Sequence, residues 1–184
     1  MAHHIVTIVG SLRKESYSLK IANALAKLAP SSLSLEVVTL AGISFFNQDL
    51  EATPPADWTA FRDKLQNSNG VLFVTPEYNR SVPGALKNAI DVGSRPYGQS
   101  VWSGKPGAVA SISPGAIGAF GANHHLRQSL VFLDVPAMQQ PEAYLGGAAA
   151  LFTPEGKLAK DETREFLRKF MAAFADWVER NAKR

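Results

Sequence analysis

The chain has no cysteine among its 184 residues. That absence removes disulfide bonds, thiolate metal sites and cysteine nucleophiles from the chemistry open to it. A chain without thiols fits a reducing compartment. No apolar run approaches the roughly 20 residues that cross a bilayer. The first ten residues lack the basic start and small-residue cleavage site of an export signal. Together these readings point to a cytoplasmic protein with no membrane partner. Two phosphate-binding fingerprints are missing as well: the G-x-G-x-x-G dinucleotide turn and the triphosphate loop closed by Gly-Lys-Ser/Thr. Charge is sparse, at 19% charged residues and a formal net charge of +3. The cations are scattered except for Arg164, Arg168 and Lys169, which alternate with Asp161, Glu162 and Glu165 as on a solvated helix face. This modest excess suits a small anion better than a nucleic acid. Of the four histidines, His3 and His4 open a strand, and the adjacent His124 and His125 point in different directions from one helix. Neither pair makes a metal site.

What the chain does have is a hydrophobic content of 46%, enough for one domain over residues 1–184 with a sizeable core. Its periodicity switches repeatedly between strand and helix. Residues 4–9 form an apolar run ending at Gly10, followed by helical spacing from Leu19 to Leu28. Leu33 to Leu40 alternates as a second strand. A long loop from Gly42 to Pro55 precedes a helix marked by Trp58, Phe61 and Leu65. Gly70 to Thr75 is a third strand, apolar on both faces. Pro83 opens a helix whose inner side is Leu86, Ala89 and Ile90. Lys105 to Ile112 is a fourth strand, and Ala119 to Phe132 a helix with Leu126, Leu130 and Leu133 inward. A short strand follows within Ala137 to Leu145. The last helix spans Asp161 to Asn181, with Phe166, Phe170, Phe174 and Trp177 on one face as packing. Alternating strands and helices, with strands apolar on both faces, predict an α/β fold: a doubly wound five-stranded parallel sheet covered on both sides. Ligands of such sheets bind beyond the carboxyl ends of the strands.

Three unusual segments fall at those ends. Gly10-Ser-Leu-Arg-Lys-Glu-Ser-Tyr-Ser18 joins strand one to a helix. Ser11, Ser16 and Ser18 supply hydroxyl donors, Arg13 a forked cation and the helix start free N–H groups, a set that suits a phosphate monoester. A serine-rich helix cap alone would also explain the serines. Thr75-Pro-Glu-Tyr-Asn-Arg-Ser-Val-Pro-Gly84 follows strand three. Its backbone, Tyr78 and Asn79 could border a planar heterocycle, although a stiff turn ahead of a helix has the same composition. Ser111-Ile-Ser-Pro-Gly-Ala-Ile-Gly118 follows strand four, and its small residues leave room for a flat ring or form a flexible loop. The conjunction of the three at neighbouring strand ends carries the argument.

At these residues the sequence resembles the NADPH-dependent FMN reductase family, in particular its quinone and chromate reductase branch. The matching motifs are Gly10-Ser-Leu-Arg-Lys-Glu-Ser16, Pro76-Glu-Tyr-Asn79, Ser81-Val-Pro-Gly-Ala-Leu-Lys-Asn-Ala-Ile-Asp91 and His125-Leu-Arg-Gln-Ser-Leu-Val-Phe-Leu-Asp134, so the likeness spans nearly the whole chain. The resemblance implies a flavodoxin-like sheet of strand order 2-1-3-4-5 and non-covalent FMN. It implies that Ser11, Arg13, Ser16 and Ser18 hold the phosphate. Pro76, Glu77, Tyr78 and Asn79 would contact the isoalloxazine ring, with Ser113, Gly115 and Gly118 along its other edge. It also implies a homodimer or homotetramer. Departures from the branch are Ser18 in place of Asn, Arg80 in place of Tyr, Val92 in place of Trp, Gly121 in place of Arg and His124 in place of Tyr. Arg80 and Gly121 read as an exchange of positive charge between two neighbouring loops.

The implied activity is hydride transfer from NAD(P)H as co-substrate, through FMN, to quinones, with chromate and other small acceptors as further candidates. No side chain need act as a covalent or acid–base catalyst, because the flavin supplies the redox chemistry. Arg80 and Arg95 are the candidates for attracting an anionic acceptor or the NADPH phosphate. Two other readings compete: an electron carrier of the flavodoxin type that does not oxidise NAD(P)H, and a regulatory module that has lost the flavin.

Overall fold

The computed structural model describes residues 2–182. Its sheet is β1 (His3–Val9), β2 (Leu33–Thr39), β3 (Gly70–Thr75), β4 (Gly107–Ile112) and β5 (Ala143–Leu145). All neighbours are parallel, in the order β2-β1-β3-β4-β5. The helices are α1 (Tyr17–Leu28), α2 (Ala56–Gln66), α3 (Gly84–Ser94), α4 (Phe120–Phe132) and α5 (Asp161–Asn181). This is the expected flavodoxin-like order.

The period of two along each strand builds a core on each face. Ile5, Val9, Leu72, Val74, Ala108 and Ala110 pack with Ile21 and Leu25 of α1 and Phe170, Met171 and Phe174 of α5. Val6, Ile8, Val71, Phe73 and Val109 pack on the other face with Phe61, Leu86, Ile90, Leu126 and Leu130. Every residue of β3 and β4 is buried, which is why these strands read as continuous apolar runs. Truncating one of these buried side chains, such as Leu25→Ala, costs about 2–5 kcal/mol. Among the described residues no helix is long and apolar enough to cross a membrane.

Several boundaries differ from the sequence reading for identifiable reasons. α1 starts at Tyr17 rather than Leu19, because the Ser16 side chain accepts from the Leu19 N–H at 3.1 Å and caps it. β4 starts at Gly107 rather than Lys105, since Pro106 has no N–H for a ladder. The fifth strand occupies only Ala143–Leu145, with Ala137 making an isolated bridge to Gly107. Pro136 and Pro141 break the stretch between. On α5 the buried stripe is Leu167, Phe170, Met171, Phe174, Ala175 and Val178. Phe166 and Trp177 flank it half-buried, and the Trp177 indole donates to the Pro136 carbonyl at 2.7 Å. The 42–55 loop contains a short 3-10 turn, Gln48–Leu50. Buried Asn88 pins that loop to α3 by accepting from Phe46 N–H at 2.7 Å and donating to Ser44 O at 3.0 Å.

Candidate functional site

β1, β3 and β4 lie side by side, so their three following loops converge at one end of the sheet. Gly10 N–H donates to Val74 O at 2.9 Å, which holds the first loop against the end of β3. A cleft of about 320 Å³ lies there, lined by Gly10, Leu12, Arg13, Tyr78, Pro83 and Ala85, within the usual size of small-molecule sites of about 300–1,000 Å³.

The first loop carries the donors. Ser11 and Ser16 are buried and use their oxygens to accept from Arg13 N–H at 3.3 Å and Leu19 N–H at 3.1 Å. Their hydroxyl hydrogens stay available to donate. Ser18, in the first turn of α1, is 1% exposed, and its hydroxyl has no partner. A buried hydroxyl without a partner is costly, and at the positive end of a helix an anion would suit it as a partner. Arg13 is exposed at the cleft. This donor set fits a phosphate monoester.

The second loop is a two-residue hairpin. Tyr78 and Ser81 exchange both N–H···O bonds at 3.0 Å, and Asn79 and Arg80 between them have φ of 52° and 65°. Both central residues are left-handed, as in a type I′ turn. Tyr78 faces the cleft and Asn79 is exposed. The Glu77 carboxylate points elsewhere: its oxygens accept from Arg80 Nη1 at 2.9 Å and from Ala122 N–H of α4 at 3.0 Å. A ring contact from Glu77 is therefore left to its backbone.

The third loop is braced from below. Ser111 Oγ donates to Gly118 O at 2.8 Å and receives the buried Asn123 amide at 3.1 Å. Ser113 Oγ accepts from Ala119 N–H at 3.1 Å and bonds Gly115 O at 3.1 Å, so its hydroxyl is committed within the loop. Gly115 stands exposed, and a Cβ there would meet Ser113 Oγ in ordinary contact at 3.8 Å. Gly118 is turned inward: its φ is +60° and a Cβ there would sit 2.5 Å from the Tyr144 carbonyl carbon. Its bareness serves the packing on β5.

The two arginines part company. Arg80 sits at the rim with a side chain 74% exposed. Arg95 follows the last residue of α3. α3 starts beside the cleft at Gly84, so about 16 Å of helix separates Arg95 from it. Its guanidinium pairs with Glu51 at 2.7 Å and lies 5.8 Å from the Phe46 ring centroid. Arg95 is thus not among the residues that line this cleft within one chain. The supposed neighbours Arg80 and Gly121 do meet, because a Cβ on Gly121 would lie 3.0 Å from Arg80 O and 2.8 Å from Glu77 Oε2. His124 and His125 are separated as expected, one bonding Tyr144 Oη at 2.9 Å and the other Ser81 Oγ at 3.0 Å.

Sequence reasoning named Tyr78 beside the ring but missed the other apolar residues around it. Leu12, Tyr78, Ile117 and Phe120 are each about half exposed, at 46–55%, and all lie in or beside the three loops. Large apolar residues within loops flanked by glycine and serine were the available signal. A larger cleft of about 410 Å³ opens at the amino end of the sheet among Arg62, Gln66, Ser68 and Lys105. Its cations are spent on carbonyls: Arg62 on those of Val92, Gly93, Arg95 and Gln99, and Lys105 on that of Ser68.

A helix start whose donors fit a phosphate, joined to a ring-sized, apolar-rimmed cleft, is a geometry that suits a flavin. The model of the NADPH-dependent FMN reductase family matches residues 3–150. The chain belongs to that family. A quinone reductase of Pseudomonas putida is 64% identical over 97% of this chain and 96% of that protein. A 2-hydroxy-1,4-benzoquinone reductase of a Burkholderia species is 45% identical over 97% of each. Among solved structures, the flavoenzyme NAD(P)H:(acceptor) oxidoreductase FerB of Paracoccus denitrificans superposes with a TM-score of 0.93 at 40% identity, covering 99% of this chain and all of that one. Within the FMN reductase family, then, the three loops are the place to look for the cofactor.

Proposed function

We propose that this protein is an NAD(P)H-dependent, FMN-containing oxidoreductase that reduces quinones. The observation that carries the reading is the buried, unpartnered Ser18 hydroxyl at the start of α1, beside an apolar-rimmed cleft. Ser11, Ser16, Ser18 and Arg13 would hold the phosphate of FMN. Pro76, Tyr78, Asn79 and the backbone of Glu77 would border the ring on one side, and the loop of Ser113, Gly115 and Gly118 its other edge. Bound there, FMN would supply the redox chemistry, a hydride acceptor for NAD(P)H and a two-electron donor for the quinone. The chain's own part is to bind, orient and shield. The α1 N-terminus and the serine hydroxyls neutralise the phosphate. Backbone N–H groups of the second loop that are not spent in the Tyr78–Ser81 pair would stabilise negative charge on the ring. Leu12, Tyr78, Ile117 and Phe120 exclude water and offer a flat apolar acceptor a place to stack.

The apolar rim and the quinone reductases among the relatives support quinones as the acceptor. Chromate rests on the family resemblance and on Arg80, the exposed cation at the rim. Steady-state oxidation of NADH and NADPH with a benzoquinone tests the function. Parallel double-reciprocal lines are expected for one site used in turn. Pyridine nucleotide that is not oxidised would leave the electron-carrier reading in its place. A homodimer or homotetramer belongs to the same reading. Tyr97, Val131 and Phe132, at 81–89% exposure near the ends of α3 and α4, supply apolar surface for a second copy. Sedimentation at equilibrium checks it, and a monomer at all concentrations would remove it.

A further inference from the structure

We propose that Glu77 is a positioning residue. Its carboxylate locks the Tyr78–Ser81 hairpin to the first turn of α4 and so fixes the height and tilt of the loop that borders the flavin ring. The proposal rests on the reading that this loop faces the ring.

Four observations support it. First, α4 opens without a cap of its own. Its N-cap residue is Ala119, with φ of 62° and no side-chain bond, and there is no acidic residue in its first turn. Glu77, 45 residues earlier in the chain, supplies both missing elements: an acceptor for Ala122 N–H at 3.0 Å and a negative charge at the helix start. Second, the seat is shaped for it. Gly121 has no Cβ, and one placed there would come within 2.8 Å of Glu77 Oε2 and 3.0 Å of the Arg80 carbonyl. Third, the next turn of α4 holds the far side of the hairpin through His125 Nδ1 and Ser81 Oγ at 3.0 Å. Fourth, the hairpin places two non-glycine residues at positive φ, a conformation that persists only where the surroundings over-determine it.

The two bonds of Glu77 are unequal. Its side chain is 10% exposed, whereas that of its ion-pair partner Arg80 is 74% exposed. An ion pair reaching into water contributes little, while a charge-assisted bond from a helix-start N–H contributes more. The bond to Ala122 therefore holds the hairpin, and Arg80 only tightens it.

The test compares Glu77→Ala, Glu77→Gln, Arg80→Ala and Tyr78→Ala. It reads amide exchange in the FMN-free protein, the FMN dissociation constant, and the visible circular dichroism of flavin at saturating FMN. Glu77→Ala is expected to speed exchange at Ala122, Tyr78 and Ser81 together. It should also raise the FMN dissociation constant by up to about tenfold, the most that losing a charge-assisted bond of about 1.5 kcal/mol within the hairpin's support can transmit to the ligand, and change the flavin dichroism. Glu77→Gln, which keeps an acceptor, falls between, and Arg80→Ala changes least. A merely structural role would lower the unfolding temperature but leave the flavin dichroism as in the parent. That result overturns the proposal, as does Arg80→Ala matching Glu77→Ala. Tyr78→Ala separates the two layers. If it leaves FMN affinity and dichroism unaltered, the loop does not face the ring, and the reading falls with the proposal. If it alters them while Glu77→Ala does not, the proposal alone falls.

Discussion

Replacing Ser18 by alanine should have opposite effects on the free protein and on its complex with FMN. In the structure the Ser18 hydroxyl is buried and bonded to nothing. Leaving such a group unsatisfied costs about 1–3 kcal/mol, so removing it stabilises the FMN-free fold by about that amount. For a chain of this size each kcal/mol moves the unfolding temperature by about 2–4 °C. If the hydroxyl donates to the phosphate, the variant also loses a bond to a charged group. Such a bond is worth about 1.5–3 kcal/mol, or about 10- to 150-fold in dissociation constant. Thr7 is an internal control, because its Oγ1 is likewise buried without a partner but lies mid-strand in β1. Thr7→Val should raise the unfolding temperature and leave FMN affinity alone. The assays are thermal unfolding of the FMN-free protein and fluorescence titration with FMN. A Ser18→Ala protein that melts earlier and binds FMN as the parent does would refute the reasoning.

Other consequences can be checked in the same way. Gly93→Ala places a Cβ 2.6 Å from the indole of the fully buried Trp102, so overpacking should cost about 1–3 kcal/mol in denaturant unfolding. Arg95→Ala loses the Glu51 pair and the Phe46 contact, which should cost about 1–2 kcal/mol while FMN affinity stays as in the parent; weakened FMN binding would return Arg95 to the site. Burial, aided by the Glu142 carboxylate that its hydroxyl donates to at 2.7 Å, pushes the Tyr144 phenol up from near 10 to about 12. The stabilisation from this neutral phenol is fully present below about pH 10 and is lost as pH rises through about 12. In a tyrosinate absorbance titration, Tyr144→Phe should delete a step near pH 12, and an unchanged curve would contradict the assignment.

The sheet was legible because buried parallel strands are written as apolar runs such as Val71 to Val74, and the helices as 3.6-residue stripes. The three site loops were legible for a related reason. Each interrupts that periodicity with glycine, serine and proline at a strand end, where doubly wound sheets bind ligands. What stayed hidden is pairing across long stretches of chain. Nothing local to Glu77 announces that its carboxylate caps a helix at Ala122, and nothing beside Arg95 announces Glu51. Gly118 looked like space for a ring, yet it makes room for Tyr144, a contact that only strand order and register create. The fifth strand was legible as a short strand within Ala137 to Leu145, but not its bounds, because apolar residues run through the whole stretch and Pro141 precedes the three paired residues.

The most direct test of the central claim is an anaerobic absorbance titration of the FMN-loaded protein, first with NADPH and then with a benzoquinone. The account predicts that the flavin bands bleach with about one equivalent of NADPH and return with about one equivalent of quinone, as two-electron exchange in turn at one site requires. Flavin that stays oxidised in the presence of NADPH, or a protein that takes up no FMN at all, would contradict it.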